Sequence, residues 1–534
     1  MDCIIINADV RTMAGPPRAA RASAVAVRGN RISQVGETAA IRALAATSTR
    51  VIDARGRLLL PGFNDAHVHF MEGGYSLGNV QLRDAATPEE FVRRIGAHAQ
   101  KIPGGEWITG GEWDHQTWPG APMPNRRLID PVTAANPVFL SRTDGHIALA
   151  NTLALKMAGV TRQSQDIPGG LIERDAATGE PTGILKDAVM EAVRRIIPKP
   201  GYKEQKAAAQ RATDCAARLG VTSVQDVLAG DDAAIYKELA DRGELKTRVY
   251  ALYPLARWEE LARAADRPQT TAGMVRMGGV KAFADGSLGA GTACFFEPFA
   301  DDPGNRGLLS DQMYPDGAML RRVLGADSAG LQVAIHAIGD RANYEILNLL
   351  EIVARENGAR DRRFRIEHAQ HLRPAEVPRF ARQQVIASVQ PYHAADDGRW
   401  CLGRIGPQRV KEAYCFRSLL DSGAALALGT DWTVAPLDPM LTIEAAVTRR
   451  TLDGKHSGGW QPEQRISVEE AVRAYTAGSA RAEFTESEKG SIVAGRLADL
   501  VLLDRNIFEM APEEIHCARV ALTMVDGRVV WEEP

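Results

Sequence analysis

Four histidines, an aspartate and a lysine stand where a chain can gather divalent cations: His67, His69, His336, His368, Asp431 and Lys281. The first two belong to Pro61-Gly62-Phe63-Asn64-Asp65-Ala66-His67-Val68-His69. Residues i and i+2 of a strand point the same way, so both imidazoles can reach one ion. Imidazole nitrogen suits zinc and neighbouring divalent metals. A His-x-His pair alone is a weak signal, because ordinary surface or core histidines give the same spacing. The others sharpen it. His336 closes Gln332-Val333-Ala334-Ile335, His368 closes Arg365-Ile366-Glu367, and Asp431 follows Leu428-Gly429-Thr430. The chain has only eleven histidines, so four of them at the ends of apolar runs, with an aspartate at another, point to metal binding.

Lys281 ends a further run, after Gly278-Gly279-Val280. A protonated lysine is repelled by a cation, so desolvation and nearby positive charge must lower its pKa if it faces one. A neutral amine can take up carbon dioxide, and the resulting carbamate has two oxygens that could bridge two cations. The plainer alternative is an ion pair with Asp285 or another carboxylate. The residues alone leave both open.

Two cations sharing a water lower its pKa towards neutrality, giving a hydroxide able to attack a carbonyl polarised by one of them. Charge developing on the carbonyl oxygen would be held by the metal. Asp431 is the candidate to carry the water's proton to a leaving amine, unless it serves as a ligand only. His146, in Asp144-Gly145-His146, could donate to the carbonyl or cap the helix that follows. Asp285 could orient the leaving group or anchor its own loop. His393, after Gln390-Pro391-Tyr392 at the next predicted strand end, could line the pocket or support the ligands. Trp113, with Trp107 and Trp118, could contact an apolar substrate group or pack its own loop.

These residues need elements to hold them. Apolar runs with polar ends alternate with Ala/Leu/Arg/Glu stretches of helical period: Gly220–Asp226, Val280–Gly286, Val333–His336, Phe364–His368 and Ala425–Asp431. Short buried strands alternating with helices predict a parallel sheet, and this many units predict a (β/α)8 barrel, whose active site lies at the C-terminal ends of the strands. The barrel is expected over residues 61–484, with a Gly-, Pro- and Trp-rich insertion over its mouth near 104–200. Short strands recur at both termini. Cys3–Ile6, Ser23–Val27 and Arg31–Val35 stand at one end, and Ala498–Leu503, Val520–Val525 and Arg528–Trp531 at the other, with an Asp526-Gly527 hairpin signal. They predict a small β-domain assembled from the two ends, residues 1–60 and 485–534.

The charge balance, 64 Lys+Arg against 67 Asp+Glu, gives no field to attract nucleic acid or an anionic membrane. No apolar stretch is long enough to span a bilayer, and the first residues have no basic leader. Six scattered cysteines without a Cys-x-x-Cys pair fit reduced thiols. A cytoplasmic location is expected, and a homodimer would be ordinary.

Taken together, seven stretches resemble the amidohydrolase superfamily, and within it the amidohydrolase family 3 group that includes N-substituted formamide deformylases. They are Pro61–His69, Ser141–His146, Val280–Leu288, His336–Ala342, Ile366–Ala369, Ser388–His393 and Leu428–Asp431. The resemblance implies a barrel plus a composite β-sandwich. It also implies that His67, His69 and Asp431 hold one metal, that His336 and His368 hold a second, and that carboxylated Lys281 bridges them. Zinc is expected, with manganese, iron or cobalt as alternatives. Thr430 stands where serine is common in the group, a change expected to matter little. The implied reaction is hydrolysis of a non-peptide amide or formamide-type C–N bond to a carboxylate and an amine. The alternative is a single-metal deaminase or cyclic-amide hydrolase. Deaminases of this type generally lack the lysine and carry a glutamate soon after the fifth-strand histidine, whereas His336 is followed by Ala337-Ile338-Gly339-Asp340. A non-catalytic relative would be expected to have lost ligands, and none is missing.

Overall fold

The computed structural model describes residues 1–15, 21–115, 118–120, 122–143, 147–166, 170–228, 230, 232–263 and 273–533. The chain falls into two compact units, Met1–Phe70 with Thr213–Pro534, and Met71–Ala212.

The larger unit contains an eight-stranded sheet whose neighbouring strands run parallel: β1 (Phe63–Val68), β2 (Val221–Val227), β3 (Arg248–Pro254), β4 (Val275–Phe283), β5 (Gln332–Ala337), β6 (Arg365–His368), β7 (Ile386–Val389) and β8 (Leu426–Leu428). Spatial order follows chain order, as short right-handed strand–helix–strand units require. The ring closes just beyond β8, where Asp431 N donates to His67 O at 2.7 Å and His69 N to Trp432 O at 2.7 Å. This is a (β/α)8 barrel. Strands β1, β2, β5, β6, β7 and β8 are buried at every position, because helices cover the outer face and side chains fill the inner one. Strand β3 carries none of the candidate residues, and its apolar run is not among the stretches that the sequence pattern singles out.

Strands from both termini form two further sheets in the same unit. Cys3–Ile6 lies between Ala24–Arg28 and Arg50–Asp53, with Arg31–Gly36 at the edge. Leu58–Pro61 pairs antiparallel with Leu500–Leu503, which continues into Val520–Val525 and Arg528–Glu532. One apolar core joins them, including Ile5, Val25, Leu59, Leu500 and Leu522. Asp526 and Gly527 both take positive φ at the hairpin between the last two strands, the conformation that an Asp-Gly pair favours there.

The second unit is a six-stranded mixed sheet with an apolar cluster on each face. Phe139 joins one cluster and its neighbour Leu140 the other, as strand alternation requires. The unit is wider than the Gly-, Pro- and Trp-rich stretch at 104–200, because helix Pro88–Ala99 and strand Val80–Gln81 belong to it without sharing that composition.

Candidate metal centre

Strand β1 delivers His67 and the loop after it delivers His69. The two Nε2 atoms converge on one oxygen: Asp431 Oδ1 is 3.4 Å from His67 Nε2 and 3.3 Å from His69 Nε2. Two ligands each about 2.1 Å from one tetrahedral cation stand about 3.4 Å apart. The spacing is therefore the edge of such a coordination shell. Ligand atoms of His67, His368 and Asp431 also lie within 4.8 Å of one another. His368 sits between its fellow histidines, with ring centroids 5.1 Å from His67 and 4.5 Å from His336.

Two of these residues sit where backbone geometry is unusual. His368 has φ 74° and Asp431 φ 58°, left-handed values that side chains other than glycine rarely adopt. Alternation along β6 sends Arg365 and Glu367 inward. The left-handed turn then brings the next residue, His368, to the same interior instead of the opposite face. Such strain persists where surrounding structure over-determines it, which is common at functional sites. Here Asp65 supplies much of the constraint. Its Oδ1 accepts from His67 N and Thr430 N, and its Oδ2 from Thr430 Oγ1 and from Tyr475 OH, which lies on the π-helical turn Ala474–Gly478. At Gly429 a side chain would fall 2.6 Å from His67 N, so only glycine lets β8 lie this close to β1.

His336, on β5, places Nε2 3.0 Å from the Gly286 carbonyl, so with Nε2 protonated its lone pair resides on Nδ1. Burial, followed by the charge of Lys281, lowers the pKa of His67 and brings that of His336 to about 3. Burial likewise drives His368 well below the ordinary value. All three shifts favour the neutral imidazole, the form a metal requires. Burial opposes ionisation of Asp431, but His67, His69 and His368 hold its carboxyl well below the usual range.

Lys281 is buried on β4, and its Nζ makes no hydrogen bond among the described residues. It lies 4.2 Å from the centre of the Phe283 ring. Desolvation lowers its pKa to about 8, with Glu367 and Asp431 acting in the opposite sense. The ion pair with Asp285 is absent, because that carboxylate is occupied elsewhere. Asp285 accepts backbone amides from Cys294, Ile338 and Gly339 and lies 3.6 Å from His336 Nε2. It ties its loop to the end of β5, as in the second of the two roles that the sequence leaves open for it.

His393 lies in the first turn of helix Pro391–Asp397, just beyond β7. Its ring stacks on His368 with centroids 6.1 Å apart, and its Nε2 is 3.9 Å from Asp431 Oδ2. Its ring thus stands beside two of the proposed ligands. Trp113 belongs to the second unit. Its side chain is fully buried within the second unit, packed near Phe91, and its indole N–H donates to Leu140 O at 2.8 Å. These contacts pack it into the core of that unit. Trp118 is likewise buried, with its N–H on Ala85 O. His146 lies outside the described residues. Among the buried residues to which the sequence reading gave no role, Asp65, Arg365 and Glu367 bear most directly on the candidate ligands. Their signal was alternation: Asp65 stands two residues from His67, and Arg365 two from Glu367, each pair on one face of its strand.

From residue 50 to residue 531 the sequence matches the family model described as "Amidohydrolase family". The chain belongs to the amidohydrolase family. Within it, the chain is 39% identical over 523 residues to Protein LONG AFTER FAR-RED 3 of Arabidopsis thaliana, covering 96% of this chain and 88% of that protein. It is 29% identical to the N-substituted formamide deformylase of Arthrobacter pascens, covering 99% and 98%. The crystal structure of an uncharacterized metal-dependent hydrolase from Pyrococcus horikoshii OT3 superimposes with a TM-score of 0.78 at 28% identity, covering 96% of this chain and 99% of that one. In this amidohydrolase, as the fold requires, the polar cluster stands at the C-terminal ends of the barrel strands.

Proposed function

We propose that this amidohydrolase cleaves a non-peptide C–N bond, of amide or formamide type, at a centre of two divalent cations. His67, His69 and Asp431 hold the first, His336 and His368 the second, and Lys281, carboxylated, bridges them. The observation that carries this reading is the convergence of His67 Nε2 and His69 Nε2 on Asp431 Oδ1, together with a buried Lys281 Nζ that makes no hydrogen bond among the described residues. A buried amine with no acceptor is costly as an ammonium ion. As a carbamate it becomes an anion suited to two cations.

Bound there, the cations would supply a Lewis acid for the carbonyl and lower the pKa of a shared water. Asp431 takes that water's proton and passes it to the leaving nitrogen. His393, beside Asp431, and His146 are assigned to holding the substrate's oxygen. The products are a carboxylate and an amine. Likeness to the Arthrobacter deformylase over nearly all of both chains favours formamides among the candidate substrates. Among the described residues no helix is long and apolar enough to cross a membrane, and the proposed setting is cytoplasmic.

A second reading has one observation behind it. The compact grouping of His67, His368 and Asp431 would also suit a single cation, as in a deaminase. Elemental analysis of the purified protein beside Lys281→Ala separates the two. About two metals per chain, falling sharply in the variant, supports the bridged pair and warrants a screen of amides and formamides. One metal, indifferent to Lys281, selects the single-cation reading. No metal after loading overturns both.

A further inference from the structure

Glu367 is a fully buried carboxylate one residue from a proposed ligand, yet its oxygens are turned to other partners. Its Oε2 lies 2.6 Å from His67 Nδ1. Arg365 Nε donates to Oε1 at 2.8 Å, and an Arg365 terminal nitrogen lies 3.2 Å from Oε2. The arginine is as deeply buried as the carboxylate. The guanidinium lies against both Glu367 oxygens, and an always-charged arginine paired this closely keeps its partner a carboxylate. The guanidinium reaches further, to Ala66 O at 2.5 Å on β1, to Gln225 Oε1 on β2 and to Ser388 Oγ at 3.3 Å on β7. One side chain of β6 thus ties three other strands together at the centre of the barrel. Glu367 is clamped against that hub with little freedom to turn.

We propose that Glu367 is a positioning residue for His67: it fixes the imidazole's tautomer and angle, while Arg365 keeps Glu367 itself from becoming a ligand. The inference rests on the metal-centre reading above. A carboxylate at Nδ1 requires the proton to sit there, because a carboxylate can only accept. The lone pair then lies on Nε2, the atom 3.4 Å from Asp431 Oδ1. Without this contact the proton could occupy Nε2 and turn a hydrogen, instead of a lone pair, towards the cation. A carboxylate behind a histidine also makes the imidazole a stronger donor.

The substitution that separates positioning from simple packing is Glu367→Gln. Its shape is nearly unchanged, but only one of the two terminal atoms can still accept. Arg365 is a pure donor and claims the amide oxygen. The amide NH2 is then left facing His67 Nδ1, which must become an acceptor. The variant therefore inverts the tautomer.

The test uses the full chain. In metal-stripped protein labelled with ¹⁵N-histidine, long-range ¹H–¹⁵N correlations report which ring nitrogen carries the proton, and His67→Asn identifies the His67 signals. Zinc and cobalt affinities are measured by competition with a chelator, and the cobalt absorption spectrum reports ligand geometry. The expected result is a proton on Nδ1 of His67 in the wild type and on Nε2 in Glu367→Gln. With it should come a loss of about 10- to 100-fold in metal affinity and an altered cobalt spectrum. Equal affinity with an unchanged tautomer and spectrum overturns the proposal. If Glu367→Gln does not fold, the wild type still decides, since His67 protonated on Nε2 overturns it and Nδ1 supports it. A wild type that binds no cation overturns the metal-centre reading instead, and the tautomer measurement still tests what Glu367 does to His67.

Discussion

Asp65 and Thr430, 365 residues apart, are joined by two hydrogen bonds: Thr430 N to Asp65 Oδ1 at 3.0 Å and Thr430 Oγ1 to Asp65 Oδ2 at 2.8 Å. Asp65 precedes His67 by two residues and Thr430 immediately precedes Asp431, so this contact sets the distance between two proposed ligands from different ends of the barrel. Thr430→Ser keeps both bonds and should leave stability and metal affinity within about 0.5 kcal/mol of wild type. Thr430→Val removes the hydroxyl beside a buried carboxylate and should cost about 1–3 kcal/mol in denaturant unfolding. Equal stability for the valine variant would mean that the contact does not brace the site.

Asp65 also predicts a dependence on pH. Burial raises its pKa from 3.8 to about 6, despite hydrogen bonds from Tyr475 and Thr430 that act the other way. The folded form therefore holds a proton that the unfolded form releases. Its stabilisation is complete below about pH 4 and is lost as pH rises through about 6. Asp65→Asn carries no such ionisation, and its NH2 can donate to the hydroxyls of Thr430 and Tyr475, which also accept. In metal-stripped protein, the Tm difference between variant and wild type should shift in favour of the variant by about 2 °C or more between pH 4.5 and pH 8. A difference that stays constant over that range would contradict it.

Gly429 tests the closeness of β8 and β1. A methyl group there would meet His67 N at 2.6 Å and Asp65 Oδ1 at 2.9 Å, both fixed. Gly429→Ala should destabilise the barrel by about 1–3 kcal/mol and weaken metal binding, because the strands must part where the ligands meet. Calorimetry with chelator competition measures both effects.

Trp113 should behave as a core residue. Trp113→Ala is expected to cost about 3–5 kcal/mol in stability. Trp113→Phe, which loses the hydrogen bond to Leu140 O but keeps most of the packing, should cost about 1–2 kcal/mol. For any substrate found, KM in the phenylalanine variant should match wild type. A selective rise in KM would return Trp113 to the substrate site.

Asp431→Asn and His67→Ala should each abolish turnover and lower metal content while the far-ultraviolet circular dichroism stays that of the wild type. Full activity in metal-stripped Asp431→Asn protein would defeat the proposed chemistry outright.

Most of the barrel is legible in the sequence because its signals are local. An apolar run with a polar end records a strand buried on both faces whose last residues emerge at the mouth. The same locality made His67, His69, Lys281, His336, His368 and Asp431 readable as candidates. Strand β3 escaped notice because it ends in no candidate ligand. Trp113 was left open between substrate contact and packing for a related reason. An aromatic among glycines and prolines reads the same whether it faces a substrate or a core, and only Phe91 and the Leu140 carbonyl on either side of it decide.

By itself, then, the sequence determined the architecture and the identities of the candidate ligands, since periodicity and residue type act over a few neighbouring positions. The tertiary structure alone decided how those ligands are held. Asp65 could belong to Thr430, Glu367 to His67 and Arg365 to three other strands only once the barrel had closed. Asp285 could be seen as an anchor only once the end of β5 stood beside it. Such pairings join residues tens to hundreds of positions apart, and closure of the ring, not local spacing, brings them within hydrogen-bonding distance.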